Sequence, residues 1–469
     1  MHITSENKTV ERKTAYIVLL SWIISVMPLT WLGYGSDGDA WSVAKAAKTI
    51  YLTRQYVRSR STGFPLFEVT VTPLVNIGQW YLSNLLPLLF GIMIFMALIR
   101  LSEKGVFRHP KITLFSFMFL PVMVKNATST MDYLPALALL IWAYVCLIEH
   151  RWVVAGLLIG IACGFRPTSA LFVIPATIYT YIETKKSFQV FQILLISFIS
   201  GVIAYSPALF KYGISIPYGS IKLDQQTMIL ITGYNFLRLF GIVQSLVLMV
   251  CFAVIIQQII INKNFTSFFL FHITNILVWA VLFLFLPDEP EYLLPMIPSV
   301  IFILDRYLSR KIFLYVSLIL LSYHIIQVDA LGGRSGDRYI KVAFKNGFTV
   351  RDIQDRVLKL SIREAANKYV TSTKTVLMYG KHEISAANDL WTVRNGMDCQ
   401  RDGNLCVSGR IRDEQKLETL HLEGFRLVVW RGEMWEYSRT GTSLPSYVEV
   451  IDSLSSFFGV PIYGKALTQ

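Results

Sequence analysis

The sequence predicts a polytopic α-helical membrane protein that ends in a soluble α/β domain. Hydrophobic residues make up 54% of the chain and charged residues only 16%, which is too apolar for one soluble domain. Apolar stretches recur from residue 14 to residue 328, and charged and apolar residues mix beyond about residue 330. We therefore expect a membrane domain over residues 1–329 and a separate domain over residues 330–469.

The apolar stretches predict about ten or eleven membrane crossings. Several are shorter than the roughly 20 residues of a full span, so their bounds are approximate. They fall near residues 14–34, 80–99, 112–124, 133–148, 152–165, 168–182, 189–208, 236–262, 267–286, 291–304 and 312–328. The first stretch ends in Trp31 and Tyr34. These interfacial aromatic residues favour a retained helix over a cleaved signal peptide.

Basic residues in the short loops predict the orientation of the chain. Those assigned to the cytoplasmic side are Lys8, Arg12, Lys13, Arg100, Lys104, Arg108, Lys111, Arg151, Lys185, Lys186, Lys263, Arg306, Arg310 and Lys311. The alternation places the loop at 35–79 and the C-terminal domain on the outer face, as expected for a prokaryotic plasma or inner membrane. Much of the net charge of +13 then comes from basic residues in short loops that set the orientation in the membrane. We therefore expect no nucleic-acid partner.

Two acids stand at the outer end of the first apolar stretch. Asp37 and Asp39 precede a segment whose apolar positions recur at helical spacing, and five basic residues follow before residue 61. One acid is explained as a helix N-cap. The alternatives are a general base that takes a proton from an acceptor hydroxyl, or a pair of oxygen ligands for a divalent cation such as Mg²⁺ or Mn²⁺. A basic loop on the outer side favours an anionic ligand.

Three more charged positions are predicted on the same face. Asp132 begins an apolar stretch, where a helix cap is the simple explanation, and Arg166 lies between two apolar stretches, where a charge is costly without a partner. The third position is the short loop "PDEPE", which contains Asp288, Glu289 and Glu291. A solvated loop would explain these acids, but a cation and several acids on one face indicate a buried polar site.

The C-terminal domain is predicted from short β-like runs, "TVLMYG" and "LVVW", between helical stretches. It contains Cys399 and Cys406, and on the outer face this pair favours a disulfide over two free thiols. A metal site is less favoured because no second Cys or His pair stands at ligand spacing. The glycines of "LGGRSGDR" follow a membrane stretch rather than a strand, which indicates a linker and not a nucleotide-binding loop.

The first outer loop resembles that of the C-type glycosyltransferases, in particular the branch of protein O-mannosyltransferases and aminoarabinose transferases. That family has an acid followed four residues later by an aromatic residue, as in Asp37 and Trp41. An Arg-x-x-Gly-aromatic-Pro element comes next, as in "RSTGFP" from Arg60 to Pro65. The residue after the first acid is Gly38 where the family commonly has Glu.

The resemblance continues to about residue 328. Asp132 precedes the Pro-containing apolar run that begins "YLPALALL", and "GLLIGIACGFRP" ends in the basic residue and proline of a further family element, here with Arg166. Near the last crossings "EYLLP" matches a charged residue before Tyr-Leu-x-Pro, with Glu291 and Tyr292. Arg or Lys is frequent in the family where Glu291 stands.

The resemblance implies an enzyme that moves a sugar from a polyprenyl-phosphate donor, such as an undecaprenyl-phosphate sugar, to an acceptor hydroxyl on a glycan, lipid or protein of the cell envelope. It implies Asp37 as the general base and a cation, if one is used, on Asp37 and Asp39. The implied ligands of the lipid phosphate are Arg58, Arg60 and Arg166. The implied substrate-binding residues are Asp132, Glu289, Glu291 and Tyr292. The alternatives are a polymerase or ligase of polyprenyl-linked glycans and a lipid-sugar transporter; no internal repeat typical of a transporter is evident.

Overall fold

The computed structural model describes residues 5–213, 232–233, 235–263, 265–287, 289–332, 340–378, 391–394, 397–400, 404–408, 414–431 and 444–463. The chain divides into two compact units. The first comprises Met1–Trp31 and Ala46–Arg351, and the second comprises Leu32–Lys45 and Asp352–Gln469. The segment that contains Asp37 and Asp39 therefore belongs to the same unit as the C-terminal residues.

The part of the chain up to residue 351 is mainly helical. Its α-helices are α1 (Ser5–Val26), α2 (Gly38–Thr53), α3 (Pro65–Ser83), α4 (Leu85–Glu103), α5 (Pro110–Met118), α6 (Pro121–Ala127), α7 (Tyr133–Ile148), α8 (Trp152–Phe165), α9 (Val173–Thr184), α10 (Ser187–Tyr212), α11 (Ile242–Asn262), α12 (Ser267–Phe285), α13 (Ile297–Tyr307) and α14 (Arg310–Ser322). Short 3₁₀ helices lie at Met27–Trp31, Pro167–Phe172 and Pro290–Met296. Strands β1 (Ile326–Gly332) and β2 (Ile340–Asn346) form an antiparallel pair.

Five helical segments among the described residues are long and apolar enough to cross a membrane, and we conclude that the chain is an integral membrane protein. They are Thr14–Trp31, Leu85–Glu103, Ser187–Tyr212, Ile242–Asn262 and Ser267–Phe285. Helices α7 and α8 are equally apolar in character but shorter. Proline begins α5 and α6, which divides one predicted apolar stretch into two helices. The count of ten or eleven crossings includes these shorter helices and stays a prediction.

Helices α8 and α10 pack at very short range because α8 contributes glycine to the contact. A Cβ atom placed on Gly160 would lie 1.8 Å from Ser200 Oγ and 2.7 Å from the backbone N of Gly201. Gly156, one turn earlier, accepts a hydrogen bond at its carbonyl from Ser197 Oγ at 3.1 Å. Small residues four apart allow two helix backbones to approach in an apolar medium, where no hydrophobic effect drives helices together.

The second unit contains a six-stranded mixed sheet. Its elements are α15 (Phe348–Lys368), which begins just before the unit, then β3 (Thr375–Met378), β4 (Trp391–Arg394), β5 (Met397–Gln400), β6 (Leu405–Ser408), α16 (Glu414–Leu422), β7 (Arg426–Trp430), β8 (Val448–Ile451) and α17 (Leu454–Phe458). The strand order is β4-β5-β6-β3-β7-β8. Strand β3 is parallel to β6 and β7, whereas β5 is antiparallel to β4 and β6.

Both faces of this sheet are covered. Leu377 of the central strand packs in a cluster with residues of α15 and α17, whereas its neighbours Val376 and Met378 pack with residues of α16. This alternation follows from the period-2 geometry of a strand. Cys399 on β5 and Cys406 on β6 face each other across the antiparallel pair and form a disulfide, in the pairing that the sequence favours.

We expect Gly160→Ala to destabilise the membrane unit by about 1–3 kcal/mol, because the added methyl group meets backbone atoms of α10 that cannot rotate away. The matched control is Gly201→Ala on α10, where the added Cβ would have its nearest contact at 3.8 Å and the effect should stay within about 0.5 kcal/mol. The measurement is thermal unfolding in detergent. Equal melting temperatures for the two variants would contradict the close packing of α8 on α10.

Candidate functional site

A buried carboxylate that joins two guanidinium groups forms the centre of the candidate site in the first unit. Asp132 is fully buried just before α7. Its Oδ1 accepts a hydrogen bond from Arg60 Nη2, and its Oδ2 accepts one from Arg166 Nη1 at 2.7 Å. Although burial alone would raise the pKa of Asp132, the guanidinium groups of Arg60 and Arg166 lower it below its ordinary value. The carboxylate is therefore ionised and shared by two cations.

Aromatic rings surround both guanidinium groups. The Arg60 guanidinium lies 3.8 Å from the ring centroid of Phe64, and that of Arg166 lies 3.9 Å from the ring of Tyr133 and 4.7 Å from the ring of Tyr292. Ring faces attract cations, and guanidinium is weakly hydrated enough to stack on them. These contacts explain how Arg166 is tolerated at 4% exposure beside apolar helices.

Two further acids extend the cluster from the 3₁₀ helix at Pro290–Met296 and the residue before it. The hydroxyl of Tyr133 donates to Glu289 Oε2, and Lys125 Nζ donates to Glu291 Oε1 at 2.5 Å. The cluster thus contains three basic and three acidic side chains: Arg60, Lys125, Arg166, Asp132, Glu289 and Glu291. The acidic and basic side chains of the cluster are therefore equal in number.

The segment before Asp132 is fixed by a chain of buried hydroxyl and amide groups. Thr130 Oγ1 donates to Asn84 Oδ1 and lies 2.7 Å from Ser83 Oγ, and Asn84 Nδ2 donates to the carbonyl of Thr30 at 2.8 Å. Residues 126–132 are all buried, so the polar side chains among them need internal partners. The network anchors the segment before Asp132 to the 3₁₀ helix at Met27–Trp31 and to the junction of α3 and α4.

The loop that contains Arg58 and Arg60 is held by one buried acid, Glu68, in the first turn of α3. The Glu68 carboxylate accepts hydrogen bonds from the hydroxyl of Tyr56 at 2.5 Å, from the backbone N–H of Ser59 at 2.6 Å and from that of Phe64 at 2.9 Å. Burial and the nearby Glu68 raise the pKa of Tyr56 well above its ordinary value, so this phenol stays protonated and donates.

The turn after Arg60 requires glycine. Gly63 has a φ of +74°, and a Cβ atom there would lie 2.5 Å from the hydroxyl oxygen of Tyr56. Both the left-handed backbone and the lack of space exclude other side chains. This is a physical reason for the glycine in "RSTGFP".

Arg58 takes a different position from Arg60. Its guanidinium donates to the carbonyl of Ser61 at 2.9 Å and lies 4.4 Å from the ring centroid of Tyr212 at the end of α10. The structure therefore brings Arg60, Arg166, Asp132, Glu289, Glu291 and Tyr292 into one cluster, with Arg58 on the same loop as Arg60 but paired with an aromatic ring instead of an acid.

Asp37 and Asp39 belong to the second unit, at the start of α2. Asp37 directly precedes the helix, and its Oδ1 accepts a hydrogen bond from the backbone N–H of Asp39 at 3.0 Å. This is the geometry of an N-cap, and Asp39 in the first turn faces the positive end of the helix dipole. The helix-cap explanation, which accounts for one acid, therefore applies to Asp37. A cap also fixes the orientation of the Asp37 carboxylate, which any catalytic role requires.

Three residues of the site were not found from the sequence. Glu68 falls in the predicted outer loop 35–79, Lys125 directly follows the predicted apolar stretch 112–124, and Tyr133 begins the predicted stretch 133–148. The available signal for Glu68 was an acid within the largely apolar run "FPLFEVTVTPLV", whereas the partners of Lys125 and Tyr133 are distant in sequence. Asp288, predicted together with Glu289 and Glu291, lies outside the described residues.

Comparison with known proteins gives no assignment. No protein-family model matches the chain, and no curated protein matches it in sequence.

We expect Glu68→Gln to destabilise the protein by about 2–3 kcal/mol, because an amide removes the charge that strengthens these hydrogen bonds and points N–H groups at N–H donors. The loop at 54–64 should then open, so trypsin should cleave after Arg58 or Arg60 faster than in the unaltered protein. Glu183→Gln, at an exposed carboxylate near the end of α9, is the control. Unchanged cleavage and stability in Glu68→Gln would show that Glu68 does not hold the loop.

Proposed function

We propose that the protein is a membrane glycosyltransferase that moves a sugar from a polyprenyl-phosphate donor to an acceptor hydroxyl. The observation that carries this proposal is the fully buried Asp132 carboxylate shared by Arg60 and Arg166. Ionisable groups buried beside membrane-spanning helices are costly and usually functional. The proposed place of the reaction is the outer face of a prokaryotic plasma or inner membrane, in agreement with the basic loops assigned to the cytoplasm.

A lipid phosphate fits this cluster chemically. Its polyprenyl chain stays among apolar helices while its anionic phosphate needs cations near the membrane surface. A guanidinium has five N–H donors in a planar fork, more than one carboxylate oxygen can use, and it binds phosphate in bidentate fashion. Arg60 is the more accessible of the pair, with 13% of its side chain exposed against 5% for Arg166. We therefore assign direct phosphate contact to Arg60, with Arg58 as the second cation of the loop.

Asp132 and Arg166 then have a different task. Asp132 holds Arg60 in one rotamer before the donor arrives, which lowers the entropy lost on binding. Arg166 keeps Asp132 ionised and contacts the Tyr133 and Tyr292 rings. Glu289, Glu291 and Tyr292 are the proposed contacts to the sugar, since carboxylates and phenols pair well with sugar hydroxyl groups.

The proposed reaction needs a base at the acceptor. Asp37 takes the proton as the acceptor oxygen attacks the anomeric carbon, and the bond from that carbon to the phosphate oxygen breaks. The polyprenyl phosphate leaves with the electron pair, and cationic side chains stabilise its charge. A divalent cation, if one is used, would have the carboxylates of Asp37 and Asp39 as ligands.

We expect Arg60→Lys to weaken binding of polyprenyl phosphate about 10-fold or more, because the charge is kept but the planar fork is lost. Arg54→Lys is the control: Arg54 is exposed, contacts the ring of Tyr51 and has the same charge, so its replacement should leave binding unchanged. Binding to protein in lipid nanodiscs is measured with polyprenyl phosphate and with the corresponding alcohol. If the alcohol binds as well as the phosphate, or if Arg60→Lys binds normally, the phosphate site is not here.

We expect Asp37→Asn to lower sugar transfer about 100-fold or more, because the amide cannot accept a proton, while stability changes little because Asn is an equally good N-cap. Asp39→Asn should be nearly silent if Asp39 only favours the helix dipole. If both acids bind a cation, Asp39→Asn should lower sugar transfer. A chelator should then also lower sugar transfer by the unaltered enzyme. Transfer is measured with purified enzyme and a polyprenyl-phosphate sugar. Full activity of Asp37→Asn would remove Asp37 from the chemistry.

A further inference from the structure

The segment around Asp37 is fixed from both sides by contacts within the second unit, and these contacts converge on α15. Immediately before Asp37, the hydroxyl of Ser36 donates to Asp352 Oδ1, and the carbonyl of Ser36 accepts from Lys359 Nζ at 2.6 Å. Asp352 and Lys359 are 5% and 2% exposed. A buried charged group requires partners, so these contacts constrain the backbone at residue 36 strongly.

Arg356 completes the support on the helix. Its Nε donates to Asp352 Oδ2 at 2.8 Å, and its side chain is fully buried. Asp352 therefore uses one oxygen for Arg356 and the other for Ser36. The i,i+4 ion pair fixes the rotamer of Asp352, so Ser36 meets a carboxylate that is already oriented.

Aromatic packing fixes residues before and after Asp37. The indole N–H of Trp41 donates to the carbonyl of Gly35 at 2.9 Å, and its ring meets that of Tyr34 edge to face at 5.1 Å between centroids. The guanidinium of Arg363 lies 5.7 Å from the Trp41 ring. Burial raises the pKa of Tyr34 to about 12, so this phenol is neutral under ordinary conditions.

The start of the segment lies directly against α15. Gly33 has a φ of +76°, and a Cβ atom on it would lie 3.3 Å from Leu360 Cδ2 and 3.1 Å from the Trp41 ring. Residues 33–36 and Trp41 thus form a short bend held by α15, and Asp37 lies within that bend. The helix cap that Asp37 makes to α2 then fixes the carboxylate itself.

We infer that α15 serves to position the proposed catalytic base, with Lys359 and Asp352 as positioning residues that act on Asp37 through Ser36. This inference rests on the proposed function of Asp37. It gives the C-terminal unit a role in catalysis that does not require contact with either substrate. Displacing a reacting group by about 1 Å can cost up to about 100-fold in rate, so loss of these contacts should affect turnover more than substrate binding.

The test compares Lys359→Met, which keeps the side-chain length but removes the donor, with Lys368→Met, at an exposed position of the same helix. Hydrogen exchange of residues 33–41 should become faster in Lys359→Met only. In transfer assays kcat should fall about 10-fold or more while KM for the donor stays within about twofold. Lys359→Arg, which restores a cationic donor, should recover part of kcat.

A second arm separates positioning from general instability. In an Asp37→Asn background, Lys359→Met should cause little further loss of kcat, because the group that it positions is already inactive. If Lys359→Met lowers kcat by the same factor in the Asp37→Asn background as in the otherwise unaltered protein, Lys359 acts independently of Asp37 and the inference is overturned. Exchange at residues 33–41 that is unaltered by Lys359→Met would overturn it as well.

The exchange measurement does not depend on enzymatic activity. If the unaltered protein transfers no sugar, the proposed function fails, and faster exchange in Lys359→Met would still show that α15 holds the segment around Asp37. If transfer occurs and Lys359→Met leaves both kcat and exchange unchanged, the proposed function stands and the positioning role is wrong.

Discussion

The shared carboxylate of Asp132 is the interaction on which the membrane unit's polar site depends. An isolated carboxylate or guanidinium group would be very costly among apolar helices, and removal of either partner from a buried pair leaves an uncompensated charge. Asp132 avoids this by pairing with Arg60 from the first loop and Arg166 from the end of α8. Three separate parts of the chain must therefore come together before any of these residues is stable in place.

The same constraint explains why the supporting groups are so numerous. Glu68 holds the loop with Arg60, and the Asn84 network holds the residues before Asp132. Three of the hydrogen bonds described above involve backbone groups, at Ser59, Phe64 and Thr30, and the other three join side chains. The architecture therefore uses one set of contacts both to satisfy the backbone near the membrane surface and to fix the charged side chains.

Much of this arrangement could be predicted from the sequence, but not its pairing. An acid before an apolar helix and an arginine between two apolar stretches indicated that Asp132 and Arg166 needed partners, and the place of Cys399 and Cys406 in the predicted outer-face domain favoured the disulfide. The contacts of Lys125 with Glu291 and of Ser36 with Lys359 join residues far apart in the chain, and no local pattern specifies them. The number of membrane crossings is difficult to predict for a related reason. Proline divides an apolar stretch into helices that are too short to be recognised as membrane spans by their length.

The division of the first loop between two units bears on how the proposed enzyme would be controlled. Ser36, the neighbour of Asp37, is held by contacts to α15, whereas Arg60 is held by Asp132 and by the loop that Glu68 anchors. The contacts described for the segment around the proposed base and those described for the proposed phosphate ligand therefore involve different residues, although α2 and the loop after it join Asp37 to Arg60 along the chain. Substitutions that loosen α15 should impair the acceptor half of the reaction and leave donor binding intact, whereas those around Glu68 should do the reverse.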